Sequence, residues 1–108
     1  MIGRTCAAGL LLLAISISPG RAQDPDAGHR LAEKWCVNCH VVASGQDRAT
    51  STGAPSFRDI AAQKSMTPMA LRVFLQTPHD RMPDLHLSHE EIDDLSAYIL
   101  GLRDQGKS

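Results

Sequence analysis

Two cysteines and a histidine stand close together in the segment Cys36-Val37-Asn38-Cys39-His40. Residues three apart on a helical turn lie on the same side, so both sulfurs can reach one edge of a flat cofactor. The pattern C-x-x-C-H is typical of c-type haem attachment. The sequence therefore predicts one haem c, bonded covalently through Cys36 and Cys39, with His40 beneath the iron.

Two other chemistries use the same pair of cysteines. A redox-active dithiol normally accompanies a βαβ pattern, and a closed structural zinc site needs four ligands. The chain shows no βαβ pattern, and its remaining histidines are scattered. Both alternatives lack their expected context.

An iron ligated by one histidine has a sixth position to fill. The candidates are Met66, Met69, Met82, His29, His79, His86 and His89. Met69 lies within a helical pattern, where methionine is more often core than ligand, and Met66 merely precedes a helix cap. Met82 lies in the irregular, proline-bounded segment 78–83, where Pro83 biases it towards extended geometry. This context favours Met82.

Helical patterns flank the cysteine segment. Residues 27–38 contain no proline and place Ala27, Leu31 and Trp35 four residues apart, which predicts an amphipathic helix. Residues 43–56 are rich in small and polar residues and predict a loop. Thr67-Pro68 is typical of a helix start, and the helix should end at Thr77-Pro78.

A C-terminal helix is predicted from Ser88. Ser88 and Glu91 match the capping box, in which each side chain satisfies a free amide of the first turn. The helix should bury a stripe spaced 3, 4 and 3, namely Ile92, Leu95, Ile99 and Leu102. With weak strand signals throughout, the chain is expected to form one all-α domain.

The first 22 residues predict a secretory signal peptide. Arg4 precedes an apolar run, and small residues end the segment at Gly20 and Ala22. Cleavage after Ala22 would leave the domain 23–108 with 9 basic against 12 acidic residues, since Arg4 and Arg21 are lost from 11 Lys+Arg. This balance gives no indication of nucleic-acid binding. A retained membrane anchor is the alternative, although the run is short for a bilayer span.

Taken together, these motifs resemble those of bacterial class I c-type cytochromes with one haem. The resemblance covers nearly all of residues 27–103 and depends on Gly28, Cys36–His40, Gly53-Ala54-Pro55, Met82-Pro83 and the helix residues Ile92, Leu95, Tyr98 and Ile99. It implies that N- and C-terminal helices cross around the haem, with Gly28 permitting a close crossing. It also implies that Met82 is the distal axial ligand and that the Pro55 carbonyl accepts a hydrogen bond from His40.

The resemblance implies an electron carrier rather than an enzyme. A monomeric periplasmic protein would pass single electrons from a dehydrogenase or cytochrome complex to an oxidase or reductase. A haem whose Met82 bond is labile or absent would instead bind small ligands, as a peroxidase or sensor does. A subunit permanently docked in a dehydrogenase complex is a further alternative.

Overall fold

Four helices make up the regular structure. The computed structural model describes residues 2–3, 9, 12–17, 23–46, 53–77 and 81–105. The helices are α1 (Pro25–Trp35), α2 (Phe57–Ala62), α3 (Pro68–Gln76) and α4 (His89–Gln105). The residues in these ranges form no strand, so the predicted all-α class is confirmed. Helix α4 packs against each of the other three helices.

Helix α4 starts as the sequence predicts. The Ser88 amide donates to the Glu91 carboxylate at 2.8 Å, and the Glu91 amide donates to the Ser88 hydroxyl at 3.1 Å. This reciprocal pair is the predicted capping box. The stripe is also confirmed, because all four of its residues are buried: Ile92, Leu95, Ile99 and Leu102.

Helix α1 differs from the prediction in its bounds and in its buried face. It begins at Pro25 because the Asp24 side chain accepts hydrogen bonds from the first-turn amides. The buried helix residues are Gly28 and Ala32, and Trp35 is 50% exposed. Ala27 and Leu31 are half-buried, so the predicted amphipathic helix is present and only the placement of Trp35 on its buried face was wrong.

The close crossing of α1 and α4 explains why small residues, and not Trp35, are buried on α1. A Cβ atom on Gly28 would lie 2.1 Å from the Asp94 carbonyl oxygen and 2.9 Å from the Cα of Leu95. Only a residue without a side chain fits between the two backbones. The buried Asp94 carboxylate also accepts a hydrogen bond from the Asp24 amide at 2.8 Å. The crossing through Gly28 is thus confirmed, and it selects small residues on α1.

Helix α3 has the predicted bounds. Thr67 caps it by accepting from the Ala70 amide at 3.1 Å, and Thr77 ends it. Leu71 is buried, whereas Met69 is 64% exposed. The expectation that Met69 packs into the core was wrong, because the helix turns its Leu71 side inwards.

Helix α2 was not expected from the sequence. It follows the predicted loop directly, and the Ser56 hydroxyl caps it by accepting from the Asp59 amide at 3.0 Å. Phe57 and Ala61 are buried in the core. The described flanks of the loop, residues 43–46 and 53–56, contain no helix, and residues 47–52 lie outside the described part.

The predicted signal peptide lies largely outside the described residues, which include only 2–3, 9 and 12–17 of it. Those residues belong to no helix. Within the described ranges, none of the helices has the length and apolar character needed to cross a bilayer.

Candidate haem site

The segment that follows α1 forms a tight turn. The Cys36 amide still donates to the Ala32 carbonyl at 2.9 Å, which extends the helical hydrogen bonding to the first cysteine. The Cys36 carbonyl then accepts from the amides of Cys39 at 3.1 Å and His40 at 2.9 Å. These bonds fix both cysteines and the histidine on one turn, anchored at the end of α1.

The imidazole of His40 is held by the backbone of a distant segment. Its Nδ1 atom lies 2.6 Å from the Pro55 carbonyl oxygen. A carbonyl can only accept, so Nδ1 carries the proton and Nε2 keeps the lone pair that a metal ion requires. The Phe57 ring packs against the imidazole at 5.3 Å between centroids. The ring of His40 is thereby oriented from two sides.

The segment that leads to Pro55 contains a glycine with a positive φ angle. Gly53 has φ of +108°, in the region that favours glycine. The chain then enters α2, and the Phe57 amide donates to the Val41 carbonyl at 2.9 Å. This bond aligns the segment 55–57 with the residues that follow His40.

The thiol of Cys36 is poorly suited to redox chemistry. Burial, and secondarily the charge of Cys39, raises the pKa of the Cys36 thiol to about 11. Reactive dithiols usually have a thiol whose pKa is depressed, because the thiolate is the nucleophile. The zinc alternative is also disfavoured, since no cluster of three or more His, Cys, Asp or Glu side chains occurs within the described ranges.

The candidates for a sixth ligand lie in different surroundings. Met82 is half-buried between Arg81, whose φ is +68°, and Pro83. Met66 is half-buried, and its carbonyl accepts from Arg103 at 2.9 Å. Met69 is exposed, as described above.

The histidine candidates for the sixth ligand also lie in different surroundings. The ring of His29 stacks on Tyr98 at 4.5 Å between centroids. His86 and His89 are exposed. His79 lies outside the described residues.

The sequence did not predict the hydrogen bonds of two side chains at the site. Gln46 bonds to the backbone at His40 and Val42, and the Tyr98 hydroxyl donates to the Val42 carbonyl at 2.5 Å. Gln46 lies in a segment whose composition indicates only a loop. Tyr98 is 56 residues from its partner Val42. No local pattern indicates such bonds.

The fold and the turn define a class of small helical haem proteins, and the comparisons with known proteins agree. A family model described as "Cytochrome C oxidase, cbb3-type, subunit III" matches residues 23–99. The chain belongs to this family and is a c-type cytochrome. It is 44% identical over 95 residues to cytochrome c-552 of Bradyrhizobium diazoefficiens, covering 86% of this chain and 90% of that protein. No solved structure matches significantly.

Family membership implies haem c as cofactor and electron transfer as function, and the residues present fit that group. His40 offers an imidazole whose tautomer is fixed by Pro55. Cys36 and Cys39 precede it on the same turn. Met82 offers a soft thioether, a donor suited to haem iron. These side chains are of the kinds that hold haem c and its iron in proteins.

Proposed function

We propose that this chain is a monohaem c-type cytochrome that carries single electrons between redox proteins in the periplasm. The observation that carries the proposal is the His40 imidazole, oriented by Pro55 at 2.6 Å on the turn that contains both cysteines. A haem c bound there would supply a reversible one-electron iron centre. This function requires binding and orientation and no bond-making step by the protein.

Each site residue has a stated role in this proposal. Cys36 and Cys39 would bind the haem covalently, and His40 and Met82 would ligate its iron. Pro55 orients the imidazole and raises its basicity, because the Pro55 carbonyl accepts a hydrogen bond from Nδ1–H. Methionine ligation favours ferrous iron over ferric iron, and a positive reduction potential is expected.

The ligand set is tested by the visible spectrum of the purified protein. The wild type should show sharp ferrous bands, a far-red methionine-to-ferric band and no change when the ferrous form is exposed to carbon monoxide. Haem staining should persist after denaturation because the bonds are covalent. A wild type without haem would contradict the central proposal, and one that binds carbon monoxide readily would indicate a peroxidase or sensor.

The role of Met82 is tested by substitution. Met82→Ala should lose the far-red band and bind carbon monoxide, because the sixth position is then open. Met69→Ala is the matched control, since Met69 is exposed on α3 and should leave both properties unchanged. An unchanged spectrum in Met82→Ala would remove Met82 from the ligand set.

Location and assembly complete the proposal. Residues 1–22 act as a cleaved signal peptide, and the domain 23–108 is released as a monomer into the periplasm. The mass of the mature protein should equal that of residues 23–108 plus one haem.

The electron donor in this proposal is a dehydrogenase or cytochrome complex, and the electron acceptor is an oxidase or reductase. Co-purification with a large complex, rather than elution as a monomer, would instead indicate a docked subunit.

A further inference from the structure

The loop formed by residues 40–46, here called the ligand loop, is closed by one side chain. The Gln46 carboxamide accepts from the Val42 amide at 3.0 Å and donates to the His40 carbonyl at 3.1 Å. The Gln46 amide also donates to the Ala43 carbonyl at 3.2 Å. One side chain therefore joins the end of the ligand loop to its beginning.

The two hydrogen bonds of the Gln46 carboxamide are here called the Gln46 clamp, and one of its partners, Val42, lies in the core. Val42 is 1% exposed, and its carbonyl accepts from the Tyr98 hydroxyl of α4. Its neighbour Val41 accepts from the Phe57 amide of α2. Gln46 thus connects the His40 carbonyl to a segment that two helices already hold.

The three polar groups of His40 other than Nε2 are all engaged. The amide donates to the Cys36 carbonyl, and Nδ1 donates to the Pro55 carbonyl. The remaining group, the carbonyl, accepts from Gln46. We propose that Gln46 is a positioning residue for the iron ligand: its carboxamide holds the His40 backbone so that Nδ1 stays in line with Pro55.

The carboxamide is the chemical reason for this role. It has both a donor and an acceptor, whereas a methionine of similar length has no donor and only a weak acceptor. The Nδ1 hydrogen bond raises the basicity of the imidazole, which favours ferric iron. Loss of the clamp should loosen this bond and therefore raise the reduction potential.

The inference rests on the proposed haem site and is tested in the haem-loaded protein. Gln46→Met should raise the midpoint potential and speed the solvent exchange of the His40 Nδ1 proton measured by NMR. The control is Gln63→Met, because Gln63 is exposed and bonds to Arg103 through its backbone carbonyl. The control should match the wild type in both measurements. A Gln46→Met protein with wild-type potential and wild-type Nδ1 exchange would overturn the inference.

If the Gln46→Met variant does not acquire haem, a measurement on the wild type tests the Gln46 hydrogen bonds instead. Amide hydrogen exchange should show Val42 protected, because its amide is bonded to Gln46. Exchange of Val42 at the rate of an unstructured peptide would overturn the clamp. Absence of haem from the wild type would instead contradict the proposed function, so the two failures are distinguishable.

Discussion

Gly28→Ala tests the crossing of α1 and α4 on which the site depends. The added Cβ would lie 2.1 Å from the Asp94 carbonyl oxygen and 2.5 Å from its carbon. Both are backbone atoms and cannot rotate away. Since non-bonded carbon atoms pack at about 3.5–4.0 Å, the two helices must separate by roughly 1 Å.

The free-energy cost follows from three terms. Overpacking costs about 1–3 kcal/mol, and a strained Asp24 amide bond to the Asp94 carboxylate loses up to about 1.5–3 kcal/mol. Alanine offsets about 1 kcal/mol by its better helix propensity. At the middle of these ranges, the expected net loss of unfolding free energy is about 3 kcal/mol. At about 4–8 °C per kcal/mol for a domain of this size, it lowers Tm by roughly 12–24 °C.

The assay is thermal and urea unfolding of the haem-loaded protein, followed by circular dichroism. Gly101→Ala is the matched control, because Gly101 lies in α4 with nothing within 4 Å of an added Cβ. Helix propensity alone should stabilise that variant by about 1 kcal/mol. If Gly28→Ala proved as stable as Gly101→Ala, the close crossing would be refuted.

Substitutions at three positions test the polar contacts of α4. Tyr98→Phe should lower the unfolding free energy by about 1–2 kcal/mol at neutral pH through loss of the Val42 bond. Burial and the Glu33 charge raise the Tyr98 pKa. Wild-type stability should therefore decline as pH rises above about 10. Urea titrations should show no such component in Tyr98→Phe. Asp94→Ala should cost about 1–3 kcal/mol in urea unfolding and Asp94→Asn less, because the amide oxygen still accepts from Asp24. Arg103→Lys should lower the urea midpoint, corresponding to about 1 kcal/mol, since an ammonium cannot reproduce the guanidinium fork.

The sequence predicted those elements whose signals are local. Helices α3 and α4 begin directly after their capping residues Thr67 and Ser88, because side-chain caps act within three residues. The stripe on α4 was recognisable because it repeats with the helical period. The turn of residues 36–40 was also predictable, because the two cysteines and the histidine lie within five consecutive residues.

Other features depend on distant contacts and left no local signal. The buried face of α1 is set by how closely Gly28 approaches α4, and periodicity alone placed Trp35 inside. Helix α2 has six residues, fewer than two turns, and is stabilised mainly by packing Phe57 and Ala61 into the core. The Gln46 clamp requires the ligand loop to be folded already.

Helix α4 contributes no proposed ligand, yet its side chains hold the irregular segments around the site. Tyr98 donates to the Val42 carbonyl behind the ligand loop. Arg103 donates to the carbonyls of Ala61, Gln63 and Met66, between α2 and α3. These carbonyls lie where helical hydrogen bonding is incomplete, and Arg103 supplies each of them with a donor from another helix. A perturbation of α4 should therefore reach the haem iron through Val42 and His40, although α4 itself does not bind the iron.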